Sequence, residues 1–271
     1  MPWHPHPDVW LLILTLAGGY AWAVRRRGEG SVKRGQATSF GLGVLTIWIA
    51  ADWPVHELAE QRLYSVHMVQ HTLLSLVAPP LLLIGTPDWM ARWLLKPAVV
   101  SRWVRRLARP LVALILFNVV IALTHWPVVV DITVNSELAH LGAHVLLFSS
   151  ALIMWMPVAS PVLEVPRLPY PGQMMYLFAQ SILPTVPASF LTFGDTPMYT
   201  AYAEMPRIWG ITPIADQRMA GLFMKIVGGL ILWSVIAVLF FRWHKQETEE
   251  GYDALQWRDV DRELSKVRVE R

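Results

Sequence analysis

The run from Ser65 to Pro87, SVHMVQHTLLSLVAPPLLLIGTP, limits the possible fold more than any other stretch of this chain. At a rise of about 1.5 Å per residue its apolar part reaches across a bilayer core, where backbone groups must be satisfied internally, so it has to be a membrane-embedded helix. His67 and His71 are four residues apart within it and share one helical face. An imidazole at such a depth requires a partner or a role. Two nitrogen donors stacked on one face is an arrangement that metal and haem sites use, although a single HxxxH is a weak signal. Here it is repeated, because His140 and His144 open another apolar run.

Composition places the whole chain in the same class. Apolar residues make up 54% of the 271, only 16% are charged, and there are 14 tryptophans, so a soluble domain is excluded. The sequence contains no cysteine, which removes disulfides, thiolate metal sites, iron–sulfur clusters and thiol-based copper handling. A soft ligand would have to come from the 11 methionines. The basic residues cluster in a few loops, which marks membrane orientation and gives no case for nucleic acid.

The apolar runs predict an all-α bundle of about seven transmembrane helices, occupying residues 1–243. The first, Val9 to Val24, follows a segment (MPWHPHPD) too short and polar for a signal peptide, and ends in Arg25, Arg26 and Arg27. The others are expected at Thr38 to Trp53, at the Ser65 to Pro87 run with a break at Pro79 and Pro80, and at Leu111 to Leu123. Three more follow at Leu138 to Val158, Met174 to Phe193 and Asp216 to Phe241. Between the third and fourth, residues 88–109 interleave Arg92, Lys96, Arg102, Arg105, Arg106 and Arg109 with Trp89, Trp93 and Trp103, which suits an amphipathic segment lying on the membrane surface. Residues 244–271 read as a charged cytoplasmic tail. An N-out, C-in arrangement puts nineteen of the 23 Lys and Arg residues on the cytoplasmic side.

On that topology eight of the nine histidines fall on the extracytoplasmic side. His67, His71, His140 and His144 are the expected metal ligands, with His56 and His125 at the neighbouring helix ends. Imidazoles from adjacent helices suit copper or zinc, and an opposed pair could instead hold haem. Asp52, Gln70, Glu137, Asp195, Asp216 and Gln217 share that level, and the carboxylates among them suit a hydrogen bond to the far nitrogen of a ligating histidine. Met68, Met198, Met205 and Met219 are nearby, where methionine is first of all apolar filler. Lys225, about two turns into the last span, is expected to pair with Asp52, Glu137 or Asp195, or else to act on charge near the site.

The HMVQHTLLSLVAPPLLLIGTP block, HLGAH with the later MWMPV, and TPMYTAYAEMPRIWGITPIADQRMAGLFM together resemble the CtaG family of polytopic cytochrome c oxidase assembly factors associated with caa-type oxidases. The resemblance runs from about Thr38 to Phe241. It implies a seven-span fold in the bacterial plasma membrane, no catalytic activity, cytochrome c oxidase subunits as partners, and a role in maturing the oxidase copper centres. The family histidines carry over at His67, His71, His140 and His144, and its acid–amide pair at Asp216 and Gln217. Lys225 departs from the family pattern. A bis-histidine haem protein, a copper permease and, with least support, a metal-dependent hydrolase are the competing readings.

Overall fold

The computed structural model describes residues 5–28 and 30–253, with side chains as far as residue 248; His4 and the tail beyond residue 253 lie outside the described residues. Among the described residues every regular element is helical. Helix α1 (Pro7–Arg27) starts with proline at its first turn and ends at Gly28 after three arginines, matching the preference of cations for a helix C-terminus. Helix α2 (Arg34–Ala51) ends at Asp52, and a short α3 (Val55–Gln61) leads to the histidine-bearing span.

That span is built in three pieces: α4 (Tyr64–Thr72), a π turn over Leu73–Val77, and α5 (Ala78–Gly85). Pro79 has no N–H to offer the Ser75 carbonyl one turn back, so an unbroken ladder is impossible here. The freed carbonyl is taken by the Trp155 indole N–H at 3.0 Å. The break forecast at Pro79 and Pro80 is therefore displaced one turn towards the N-terminus and repaired by a neighbouring helix.

Residues 88–109 form two short helices, α6 (Asp88–Leu94) and α7 (Ala98–Leu107), separated at Lys96 and Pro97. No residue of α7 is buried, and the chain turns by 85° into α8 (Pro110–Thr124). A short α9 (Pro127–Val134), which sequence periodicity did not suggest, precedes α10 (Glu137–Ala159). The sixth predicted run is split by Pro184 into α11 (Tyr170–Ile182) and α12 (Thr185–Phe193). After α13 (Thr200–Glu204), α14 (Pro213–Asp253) continues well beyond the apolar run.

Five of these helical stretches are long and apolar enough to cross a membrane, or six if the bent α7–α8 pair makes one span. Helix α2 falls short of that measure because Arg34, Gln36, Thr38 and Ser39 occupy its first two turns. The main core lies between α8, α10, α11 and α14 around Leu147, Met154 and Trp155, all at most 1% exposed. Close backbone approach shapes the remaining contacts. A Cβ on Gly85 would overlap the backbone of Phe40 where α5 crosses α2, and one on Gly221 would fall 2.8 Å from the Ala188 carbonyl where α14 crosses α12.

Candidate metal centre

Helix α4 begins where two buried backbone N–H groups need acceptors. Asp216, carried on α14 and 1% exposed, supplies both: Tyr64 N donates to Oδ2 at 2.8 Å and Ser65 N to Oδ1 at 2.9 Å. Arg207 Nη1 stands 3.7 Å from the same carboxylate. One residue and two turns' worth of chain are thereby fixed, and His67 and His71 project from them. Helix α10 starts more simply, with the Ser136 hydroxyl accepting from Ala139 N at 3.4 Å, and presents His140 and His144 one turn apart.

The two pairs meet. Donor nitrogens of His67, His140 and His144 all lie within 4.8 Å of one another. His71 flanks them, its ring centroid 4.1 Å from that of His67 and 5.2 Å from that of His144. His125 is one ring further, 5.8 Å from His71, and His56 is 6.5 Å from His140 on the other side. His67 Nδ1, His71 Nδ1 and His144 Nε2 are buried and have no hydrogen-bond partner. A buried nitrogen left bare is costly in a structural histidine and is what a metal ligand requires. In a tetrahedral site with metal–nitrogen bonds of about 2.0 Å the nitrogens sit about 3.3 Å apart, so modest ring rotation from the observed spacing would close one.

A carboxylate that sequence reading missed completes the group. Glu60 Oε1 lies 2.7 Å from His140 Nε2, without the alignment of a hydrogen bond, and 3.1 Å from His56 Nδ1. Its spacing of four from His56 on α3 was the available signal. Burial pushes His56 below the ordinary imidazole range, opposed by the neighbouring Glu60 charge.

Tyr64, Tyr199 and Tyr202 form the wall beside His67, with ring centroids 4.7 and 4.9 Å apart from Tyr64. Burial lifts the Tyr199 hydroxyl to about 12 and raises that of Tyr202 well above its usual value. The cavity between the histidines and two of these rings, Tyr64 and Tyr202, is about 20 Å³, room for one water-sized occupant.

The remaining predicted residues are placed differently from expectation. Asp216 orients the backbone of α4 and bonds no imidazole. Gln217 clamps the loop before α13, accepting from Met198 N at 2.6 Å and donating to Leu191 O at 3.3 Å. Lys225 makes no ion pair among the described residues; it lines a second cavity of about 60 Å³ beside His71 and His125. Two of its three expected partners are engaged elsewhere, Asp52 with the indoles of Trp10 and Trp48 at 3.0 and 2.7 Å, and Asp195 with Arg218 at 3.5 Å.

Two curated relatives, an uncharacterized protein of Mycobacterium bovis and one of Mycobacterium tuberculosis, are each 27% identical over 266 residues, covering 88% of this chain and 38% of theirs. The chain thus spans well under half the length of these relatives. No solved structure matches it. A sequence model of the family described as cytochrome c oxidase caa3 assembly factor matches residues 18–246.

Proposed function

Because the chain belongs to the cytochrome c oxidase caa3 assembly factor family, we propose that it carries copper between His67, His140 and His144 and passes it to the oxidase as its copper centres mature. The observation that carries this reading is the convergence, from two different helices, of three imidazoles whose donor atoms lie within 4.8 Å. Neutral imidazoles suit copper and zinc, and the copper is cargo with no catalytic step attached. His71 and His125 extend the site on one side, while His56 and Glu60 form its approach on the other. A porphyrin needs a flat slot between its axial ligands, whereas these rings touch one another around a cavity of about 20 Å³, which favours a bare ion over haem.

In this reading the protein is a multi-pass protein of the bacterial plasma membrane with seven spans in residues 1–243, α2 and α8 completing the count. The charge distribution supports an N-out, C-in orientation, with α6 and α7 on the cytoplasmic surface and residues 244–271 in the cytoplasm. The histidines then face the extracytoplasmic side, and the partners are oxidase subunits.

Elemental analysis and an absorption spectrum of the detergent-purified protein test this, with a His140→Ala, His144→Ala double variant alongside. Stoichiometric copper in the wild type, no Soret band, and loss of the metal in a variant that keeps its helix content are expected. Equal metal in both proteins would overturn the ligand assignment.

A further inference from the structure

His125 ends α8 and lies outside the group of three whose donor atoms converge. Its Nδ1 is 2.8 Å from the Ile121 carbonyl oxygen. A carbonyl only accepts, so Nδ1 carries the proton and the neutral ring presents Nε2 as a bare lone pair. That lone pair faces Met68 Sδ at 3.4 Å. A thioether has no proton to give, so nothing in this contact donates. Two soft donors are therefore held against each other, His125 at 6% and Met68 at 2% exposure, with no hydrogen bond between them. The ring is fixed by Ile121, and the backbone is fixed by the Tyr199 hydroxyl, which donates to the His125 carbonyl at 2.9 Å. Such anchoring at the far nitrogen is how ligating histidines are oriented.

The surroundings point to one kind of occupant. His71, with Nδ1 buried and unpartnered, lines the same cavity of about 60 Å³, as do Met154 and Met224. With metal–nitrogen and metal–sulfur bonds of about 2.0 and 2.3 Å, a donor spacing of 3.4 Å subtends about 105° at an ion, which suits trigonal or tetrahedral coordination. Thioether with imidazole selects Cu(I) over harder divalent ions. The Lys225 ammonium on the wall of this cavity opposes a divalent occupant more than a monovalent one.

We propose that His125 Nε2 and Met68 Sδ, with His71 as third ligand, form a second, cuprous site adjoining the site of three histidines. The two sites use different donor atoms, and Met68 and His71 line both cavities, the His71 ring standing next to those of His67 and His125. Cu(I) passes from one to the other by exchanging ligands at His71, and its oxidation state does not change.

The test uses the full chain in detergent, titrated anaerobically with Cu(I) against a chromophoric chelator and separately with Zn(II), together with copper K-edge X-ray absorption. The wild type is expected to take two Cu(I), one of them with a sulfur neighbour, and one Zn(II). Met68→Leu, which conserves volume, should reduce Cu(I) from two equivalents to one, remove the sulfur signal and leave Zn(II) binding unchanged. His125→Gln should reproduce that loss from the nitrogen side. In the His140→Ala, His144→Ala variant one sulfur-bound Cu(I) should survive while Zn(II) is lost, so failure of the three-histidine site leaves this one measurable. A wild-type cuprous form without sulfur coordination, or a Met68→Leu protein binding Cu(I) with unchanged stoichiometry and affinity, would overturn the proposal.

Discussion

Replacing Asp216 should damage the metal centre without touching a single imidazole. In the native protein its two carboxylate oxygens accept from Tyr64 N and Ser65 N at 2.8 and 2.9 Å, both within a buried helix start. Asp216→Ala leaves two N–H groups without acceptors, each costing about 1–3 kcal/mol, so a total of about 2–6 kcal/mol is expected. Asp216→Asn keeps one oxygen and turns an amide N–H₂ towards the second donor, which should cost about half as much. Arg207 loses its carboxylate in both cases, and with it one restraint on the loop carrying Tyr199 and Tyr202. His67 is only three residues from Tyr64, so fraying of this first turn moves a proposed ligand directly. Because Asp216 acts through the backbone and not on an imidazole, a loss of about 10-fold in metal affinity is expected, the lower end of what a partner bonded directly to a ligand contributes. Reversible detergent unfolding gives the stability term, and chelator competition on the folded variant gives the affinity. An Asp216→Asn protein as stable as wild type, with undiminished metal affinity, would refute the claim that this cap sets the position of His67.

Trp155→Phe removes the indole donor to the Ser75 carbonyl freed by Pro79 while keeping an aromatic body, and should cost about 1–3 kcal/mol in the same unfolding assay. Gly85→Ala forces a methyl into the Phe40 backbone and should destabilise by about 1–3 kcal/mol or more, visible as weakened protection of α2 amides from hydrogen exchange. Tyr199 is held protonated to about 12 in the folded protein but ionises near 10 when unfolded. Its contribution is therefore fully present below pH 10 and is lost as pH rises towards 12, a fall of about 2 kcal/mol that Tyr199→Phe should abolish in an alkaline unfolding series.

How far the site could be foreseen depends on which interactions made it. The two HxxxH pairs are local patterns, and their spacing alone put each pair on one face. Their convergence needed only that the third and fifth apolar runs be neighbours, as the packing of α10 against α5 and the π turn makes them. Glu60 was legible in principle through its spacing from His56 but lies in a short interhelical segment with no apolar period to draw attention to it. Asp216 was singled out, yet its acceptors' partners are backbone groups some 150 positions earlier in the chain, which no pattern in either segment encodes. Lys225 illustrates the reverse case, since two of the carboxylates considered for it, Asp52 and Asp195, lie against other donors. The pair of prolines announced a break, but that the freed Ser75 carbonyl would be taken by Trp155, 80 positions later, was not legible in either segment. Helices α9 and α13 are too short to carry a period at all.

The segment bearing His67, Met68 and His71 is gripped at both ends, by Asp216 at its start and by Trp155 just past its finish. The opposing segment of α10 has its first turns open to the surroundings, with Leu138 80% and Leu141 58% exposed. One side of the centre is thus held by hydrogen bonds at both ends, while the other starts from a single serine cap. Under the proposed function, an ion of the wrong radius would be accommodated first at His140 and His144, and selectivity among metals would then depend on how far α10 can be displaced.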